Sequence, residues 1–293
     1  MDRGLGRLLD MQGGVVTSAQ VLTFLTRRGL EAELNNGGLQ KVWYGVYGRG
    51  EVDRQLQLRG LDLAAGTTVA ACLGTAAAMY GFDTESTADL HVLNPPGRQL
   101  RPADGLVVHR REGAPLTVVA GRPITTASWT AVEVARSLAR PRALATLDAA
   151  LRSDLCSRDD LRRAAHRQSG RRGIVAVRGL LPWAAERAES PMESEARLVM
   201  IDGGLPLPVL QYEVIDVDGQ TWRLDFAWPE YGVAAEYDGV AWHSGPDAFY
   251  RDRHRYSALQ ELGWSVVPIV AEDVRYRPTE LIRRLETHLR RAA

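Results

Sequence analysis

Residues 222–239 read WRLDFAWPEYGVAAEYDG, and they predict two antiparallel strands joined by a tight turn. Proline and glycine within residues 229–232 supply the turn, and the segments on either side are rich in residues that favour strands. If these four residues form the loop, the register places Asp225 directly opposite Glu236. Two carboxylates in facing positions repel each other, so the sequence predicts that they share a divalent cation.

The same register predicts which residues of the first strand face the core. It places Arg223 opposite Asp238, so an ion pair with Arg223 is the expected role of Asp238. Strand side chains alternate between the two faces of a sheet. The apolar face of this strand is therefore expected to carry Trp222, Leu224, Phe226 and Trp228.

The segments around this hairpin predict a mixed helix-and-strand domain. Ser190 as the N-cap and Pro191 at the first helical position begin a helix, which Gly203-Gly204 ends. The other predicted elements are strands at 210–217 and 221–228 joined by an Asp218-Gly219 turn, a strand at 233–238, a helix at 246–262, a strand at 264–269 and a helix at 279–291.

The N-terminal segment predicts three helices followed by a β-hairpin. Thr17-x-x-Gln20 has the spacing of a capping box and begins the second helix, and Arg27-Arg28-Gly29 predicts the next turn. A third helix is expected at 30–36, and residues 39–48 have the composition of a hairpin wing. This order is that of a winged helix-turn-helix.

The third predicted helix does not have the composition of a strong DNA-reading helix. It contains Glu31 and Glu33 and no arginine or lysine. Carboxylates repel the phosphate backbone. Two interpretations stay open: a winged helix that contacts DNA, and one that serves protein contacts or acts as a structural cap.

The middle of the chain is rich in arginine, with 12 arginines against 5 acidic residues at 136–187. Such a region either binds phosphates or forms solvated helix faces. His91 and His109 lie in predicted strands and are interpreted as packing or surface residues. The candidate nucleic-acid contacts are Arg162, Arg163, Arg167, Arg171, Arg172 and the only lysine, Lys41.

The C-terminal motifs resemble a family related to very-short-patch-repair endonucleases, which belong to the PD-(D/E)xK superfamily. The resemblance implies that Asp225 and Glu236 bind Mg²⁺ or Mn²⁺ for the hydrolysis of a phosphodiester. It rests on an ordered set of motifs: Ser190 to Arg197, Asp225-Phe226, Glu236-Tyr237-Asp238-Gly239, His243, Arg251-Asp252-Arg253 and Leu259…Gly263-Trp264.

The chain departs from that pattern at one position. The superfamily lysine would stand two residues after Glu236, where this chain has Asp238. Since short-patch endonucleases use histidine in their sites, the resemblance implies His243 as a substitute. Glu193 is the candidate third carboxylate, Glu195 is the alternative, and capping its own helix is the other role open to Glu193.

The N-terminal segment resembles the winged helix of AbiEi-like antitoxins of type IV toxin–antitoxin systems, whose wing often ends like Gly45-Val46-Tyr47. This resemblance implies DNA as a partner and a cognate toxin protein as a second one. The sequence therefore predicts either a DNA-binding protein with a Mg²⁺-dependent endonuclease-like domain or a non-catalytic, antitoxin-like transcriptional regulator.

The expected fold class is α/β, of the α+β kind, in three parts. These are a winged helix at 1–58, a middle region at 59–187 with basic helices, and a nuclease-like domain of the restriction-endonuclease kind at 188–293. The N-terminal residues lack the apolar run of a signal peptide, and no apolar stretch reaches membrane-spanning length. With two cysteines only, a reduced, cytoplasmic protein without a membrane partner is expected.

Overall fold

A computed structural model describes residues 2–82, 88–111, 113–239 and 246–292, with side chains undescribed at 246–252. The protein has the expected α+β class, since helices and sheets alternate along the chain. It forms two compact units, one of residues 1–79 and 85–126, the other of residues 80–84 and 127–293. The boundaries of the three predicted domains stay predictions.

The first unit begins with the order of elements that the sequence predicts for a winged helix. Its elements are α1 Arg3–Met11, β1 Val15–Thr17, α2 Ser18–Val21, α3 Arg27–Asn35, β2 Gln40–Trp43, β3 Val46–Gly48, α4 Arg54–Ala65, α5 Leu73–Met79, β4 Leu90–Leu93, β5 Leu106–His109, β6 Leu116–Val119 and β7 Arg122–Thr125.

The winged helix contains a three-stranded sheet in the order β1-β3-β2. Strand β3 is antiparallel to both neighbours, so β2 and β3 form the predicted hairpin wing. The capping box of Thr17 and Gln20 is present as predicted, although α2 ends at Val21. An apolar core that includes Leu5, Leu9 and Leu30 holds the helices against the sheet.

Helix α3 begins earlier than the sequence predicts. The Thr26 hydroxyl accepts a hydrogen bond from the Gly29 backbone N–H at 3.2 Å, which makes Thr26 the N-cap. The prediction that residues 27–29 form a turn was therefore wrong, because they form the first helical turn. As a consequence, Arg27 and Arg28 belong to this helix.

Short strands form the rest of the first unit. Strands β4 and β5 are parallel, and β6 and β7 form an antiparallel hairpin. Ala71 bridges the two pairs, since it pairs with Val92 of β4 and with Ile124 of β7.

The second unit contains a set of helices and one mixed sheet. Its elements are α6 Ala127–Ala135, α7 Arg140–Arg152, α8 Arg158–Arg167, α9 Ile174–Leu180, α10 Pro191–Asp202, β8 Val209–Ile215, β9 Thr221–Trp228, β10 Val233–Tyr237, α11 Pro246–Glu261, β11 Ser265–Ile269, α12 Ala271–Arg275 and α13 Pro278–Ala292. A buried ion pair joins α10 to α7, with Arg197 Nη2 at 2.7 Å from Asp148 Oδ2.

The four strands of this sheet lie in the order β11-β10-β9-β8. The predicted register of the β9–β10 hairpin is confirmed, because Val233 pairs with Trp228 and Ala235 pairs with Phe226. Strand β10 is parallel to β11. The continued register brings Glu236 beside the position of Asp225.

The prediction of one apolar face for strand β9 was wrong. Phe226 and Trp228 pack in one buried cluster, whereas Trp222 and Leu224 pack with a different one. The alternation breaks at Asp225, between these two pairs. The residue across from Asp225 on β8 is Gln211, whose φ of 51° departs from extended strand geometry.

In the described ranges, no helix is long and apolar enough to span a bilayer.

Candidate functional site

The winged helix exposes cationic side chains on the elements that contact DNA in such folds. Arg27 and Arg28 lie at the N-terminal end of α3, and both are exposed. Lys41 is exposed on strand β2 of the wing. Among the residues that the structure describes, none of these three has a side-chain hydrogen bond or ion pair. Their charge therefore remains available to an anionic partner.

The wing also carries an exposed aromatic side chain at its tip. Tyr44 lies between β2 and β3 and is 96% exposed. The next residue, Gly45, has a φ of 72° that the tight turn requires. Its carbonyl accepts hydrogen bonds from the Ser18 backbone N–H at 2.8 Å and from the Ser18 hydroxyl at 3.2 Å. These bonds fix the wing tip to the start of α2.

The arginines predicted to bind phosphate on α8 are paired within their own helix. Arg162 lies 2.8 Å from Asp159, and Arg163 lies 2.6 Å from Asp160. Both arginine side chains are exposed. The aspartates thus partly neutralise the charge that was predicted to bind phosphate.

Arginines at the end of α8 and just after it contact a buried tryptophan and a buried glutamate. The guanidinium carbons of Arg167 and Arg171 lie 5.6 and 4.9 Å from the centre of the Trp129 ring. Arg171 also pairs with Glu133 at 3.3 Å. The Arg172 carbonyl accepts a hydrogen bond from Arg136 Nη1 at 2.8 Å. These contacts engage the side chains of Arg167 and Arg171, whereas Arg172 contributes only its carbonyl and its side chain is exposed.

The second site is a group of carboxylates in the second unit. Asp225 Oδ2 accepts a hydrogen bond from the Tyr237 backbone N–H at 2.9 Å, which brings it beside strand β10. Glu193 and Glu236 are buried, and Asp225 is partly buried. Asp225 interacts electrostatically with both glutamates. The three carboxylates that the sequence singles out therefore lie together.

Gln211 belongs to this group, although the sequence analysis did not single it out. Its Nε2 donates a hydrogen bond to Glu193 Oε2 at 3.0 Å, and its side chain also hydrogen-bonds to Asp225. In the described part of the chain, its buried Oε1 has no hydrogen-bond partner. We call Glu193, Gln211, Asp225 and Glu236 the carboxylate cluster.

Arg255 of α11 is the second residue that the sequence analysis missed. It forms an ion pair with Glu236 Oε1 and donates a hydrogen bond to the Arg223 carbonyl at 2.6 Å. A helix residue 19 positions from its partner carries no local sequence signal for this contact. Only the packing of α11 against the sheet brings the two together.

The cluster perturbs the ionisation of its members. Burial raises the pKa of Glu236 to about 7, against the opposing effect of the Arg255 charge. Burial likewise raises the pKa of Asp225, with the Tyr237 hydrogen bond opposing it. The pKa of Glu193 is raised by burial as well. Such desolvated carboxylates gain from a bound cation.

The remaining predicted site residues have other positions. Glu195 lies 3.2 Å from Arg142 and 2.9 Å from Arg275, so these arginines engage the alternative third carboxylate. Glu193 accepts a hydrogen bond from the Glu189 backbone N–H, next to the start of its own helix. The same carboxylate is also a member of the carboxylate cluster. His243 lies outside the described residues.

Arg223 pairs with Glu189 at 2.6 Å. The Asp238 charge contributes to raising the pKa of Glu236, so Asp238 lies near the cluster. Its predicted ion pair with Arg223 stays a prediction.

The donor set of the cluster fits a hard divalent cation, which prefers carboxylate and amide oxygens. The unpartnered Oε1 of Gln211 is such an oxygen. In the described ranges, no group of three or more histidine, cysteine, aspartate or glutamate side chains is arranged to hold a metal ion. A cation here would therefore depend on the Asp225–Glu236 pair and the amide.

Comparison with known proteins places a family match in the middle of the chain. Residues 69–183 match the AbiEi antitoxin C-terminal domain. The predicted relation to AbiEi antitoxins is thereby confirmed in part, in a segment other than the one that suggested it. The resemblance to very-short-patch-repair endonucleases rests on its sequence motifs alone.

Two proteins of Mycobacterium tuberculosis, from strains CDC 1551 / Oshkosh and ATCC 25618 / H37Rv, are each 57% identical to this chain over 268 residues. The match covers 92% of this chain and 98% of each relative. The chain belongs to their family. Both relatives are described as uncharacterized proteins, so the family carries no activity over to this chain.

Proposed function

We propose that this protein is an antitoxin-like transcriptional regulator that binds DNA through its winged helix. The observation that carries the proposal is the pair of exposed, unpartnered arginines at the start of α3, Arg27 and Arg28. In helix-turn-helix proteins, the N-terminal residues of the recognition helix contact base edges in the major groove. The AbiEi antitoxin match at 69–183 supports the regulatory role.

The wing adds a second contact in this proposal. Lys41 would neutralise a phosphate, and the fixed tip would bring Tyr44 against the DNA beside the recognition helix. Glu31 is exposed on α3, and its carboxylate repels phosphates. The DNA would therefore bind in an orientation that places no phosphate beside Glu31. A cognate toxin protein, whose production or effect the regulator controls, is the second partner that we propose.

Selection of duplexes from random-sequence DNA by the full-length protein tests this function. We expect the wild-type protein to enrich one sequence motif and the Arg27→Ala/Arg28→Ala protein to enrich none. An Arg290→Ala protein, altered at an exposed helix position of the second unit, is the control and should enrich the wild-type motif. If the wild-type protein enriches no motif, the regulator proposal fails.

We propose metal-dependent phosphodiester hydrolysis as a second candidate function, at the carboxylate cluster. Its support is the buried, unpartnered Gln211 Oε1 among three desolvated carboxylates. Asp225 and Glu236 would hold Mg²⁺ or Mn²⁺, which supplies neutralisation of the phosphate and activation of water when bound. Gln211 would orient Glu193 and Asp225, and His243 stays the proposed proton-transfer residue.

Metal binding and cleavage test this candidate separately. Mn²⁺ should raise the melting temperature of the wild-type protein by mass action and leave Asp225→Ala nearly unchanged. Cleavage of supercoiled plasmid should require the metal and be lost in Asp225→Ala and in Glu236→Ala. Metal binding without cleavage of any substrate would leave a metal-binding regulator, and cleavage that persists in Asp225→Ala would exclude this site.

A further inference from the structure

Arg255 contacts the carboxylate cluster from outside it, through Glu236. Its side chain is 27% exposed and extends from α11 to Glu236, the carboxylate with the pKa raised to about 7. The same Nη2 atom donates to the Arg223 carbonyl at 2.6 Å. The guanidinium is thus held by a carboxylate and by a backbone acceptor at the same time.

The charge of Arg255 acts on both predicted metal ligands. It favours the ionised forms of Asp225 and of Glu236, in opposition to their burial. In the absence of metal, Arg255 is therefore a cation that compensates the cluster, and the charge of Arg223 adds to it at Asp225. A buried carboxylate pair without such compensation is unfavourable.

A divalent cation at the same pair would compete with this guanidinium. Glu236 Oε1 is engaged by Arg255, and a metal bound between Asp225 and Glu236 would need that carboxylate. Two cations held against one carboxylate repel each other strongly where water is largely excluded. Metal binding would then require Arg255 to move from Glu236 towards solvent, which its partial exposure permits.

We propose that Arg255 is a counter-ion that competes with divalent metal for Glu236. It thereby raises the metal concentration needed to occupy the carboxylate cluster. This inference rests on the second candidate function, because it presumes that the cluster binds metal. An alternative is that Arg255 contacts the phosphate of a substrate, as the superfamily lysine would. In that case the metal affinity would not depend on Arg255.

The test is the affinity of the full-length protein for Mn²⁺, measured by calorimetry at pH 8 without nucleic acid. Arg255→Gln removes the charge and keeps a hydrogen-bonding side chain, and we expect it to tighten Mn²⁺ binding about tenfold. Arg255→Lys keeps the charge but not the fork of donors, and its affinity should lie between the two. Arg290→Gln is the matched control and should bind as the wild-type protein does.

The outcomes separate this inference from the function beneath it. Tighter binding by Arg255→Gln, lost again in Arg255→Gln/Asp225→Ala, supports the counter-ion. Equal or weaker binding by a folded Arg255→Gln protein overturns it while leaving the metal site in place. If Arg255→Gln does not fold, an Arg255→Lys affinity equal to that of the wild-type protein overturns it. Absence of Mn²⁺ binding from every protein overturns the metal site and the inference together.

Discussion

The winged helix and the arginine-rich helices place the same side chain in opposite environments. On α3, Arg27 and Arg28 are exposed and have no partner among the described residues. On α8, Arg162 and Arg163 each pair with an aspartate three positions earlier. Just after α8, Arg171 pairs with the buried Glu133. By count alone, the second region is far more basic. By availability of charge, the first is the better anion-binding surface.

This difference teaches that a local excess of arginine does not by itself identify a nucleic-acid surface. Charge that is neutralised by a partner contributes little to the release of counter-ions on binding. The two regions should therefore respond oppositely to substitution. Changes on α3 should affect DNA binding without affecting stability, and changes around Glu133 should do the reverse.

The largest expected effect is on stability. Glu133 is buried and interacts with Arg171 at 3.3 Å, Arg136 at 3.7 Å and Trp129 Nε1 at 3.2 Å. Glu133→Ala would leave these donors without their shared acceptor, and we expect the free energy of unfolding to fall by about 3 kcal/mol. Urea denaturation measures it. Arg27→Ala/Arg28→Ala is the control and should change the value by less than about 0.5 kcal/mol.

The next effect is on DNA affinity. Arg27→Ala/Arg28→Ala removes two unpaired cations from α3, the proposed recognition helix, and we expect the affinity for the selected duplex to fall about 30-fold. Arg162→Ala/Arg163→Ala should lower it by no more than about twofold, since both arginines are already paired. A fluorescence anisotropy titration compares them. Equal losses would show that pairing does not separate the two regions.

A smaller effect is expected at the wing tip. Tyr44→Ala removes a ring that is 96% exposed, so stability should be unchanged. The DNA affinity should fall about fivefold if the ring contacts the duplex. Tyr44→Phe distinguishes the ring from the hydroxyl. A wild-type affinity for Tyr44→Ala would remove the wing tip from the interface.

The smallest effect concerns the pH dependence of stability and two histidines of the first unit. Burial favours the neutral form of these histidines, whereas Arg27 and Arg28 are charged. His91 Nδ1 and His109 Nε2 lie 2.9 Å apart, and burial lowers both pKa values, that of His109 to about 4. Below the unfolded-state value of about 6.5, the unfolded chain binds more protons. The free energy of unfolding therefore has its full value above pH 6.5, and it falls as the pH falls towards 4.

His109→Gln should flatten this dependence. Because both rings are half-buried, the loss between pH 7 and pH 5 should be under about 1 kcal/mol in the wild-type protein and smaller in the variant. Thermal unfolding at the two pH values measures it. A wild-type stability that rises on acidification would contradict the sign.

The sequence was informative where a local pattern determines the geometry. The turn at 229–232 determines the β9–β10 register and hence the meeting of Asp225 and Glu236. Thr17 and Gln20 form a reciprocal cap because their spacing alone allows it. Both features depend on residues within a few positions of one another, so single-sequence reasoning reaches them.

Prediction from the sequence failed where a turn or a helix start is determined by a side chain other than the expected one. Gly29 suggested a turn, yet Thr26 caps the helix before it and brings two arginines onto α3. Asp216 accepts backbone hydrogen bonds from Asp218 and Gln220, so the β8–β9 connection is longer than an Asp218-Gly219 turn. The observed register places Gln211 of β8 across from Asp225.

The contact of Arg255 with Glu236 could not be predicted for a different reason. It depends on how α11 packs against the sheet, and a helix position alone does not indicate which strand it approaches. The same holds for Glu133 and Arg171, which lie 38 positions apart.

The salt dependence of binding to a non-specific DNA duplex tests the comparison most directly, because its slope counts the phosphates neutralised. Each neutralised phosphate contributes about 0.9 to the slope of log K against log salt concentration. On a non-specific duplex, where no base sequence is read, we expect both arginines to contact phosphates, so Arg27→Ala/Arg28→Ala should reduce the slope by about 1.8. Arg162→Ala/Arg163→Ala should leave the slope at the wild-type value. A slope that falls for the Arg162/Arg163 pair and not for the Arg27/Arg28 pair would contradict the assignment of DNA binding to the winged helix.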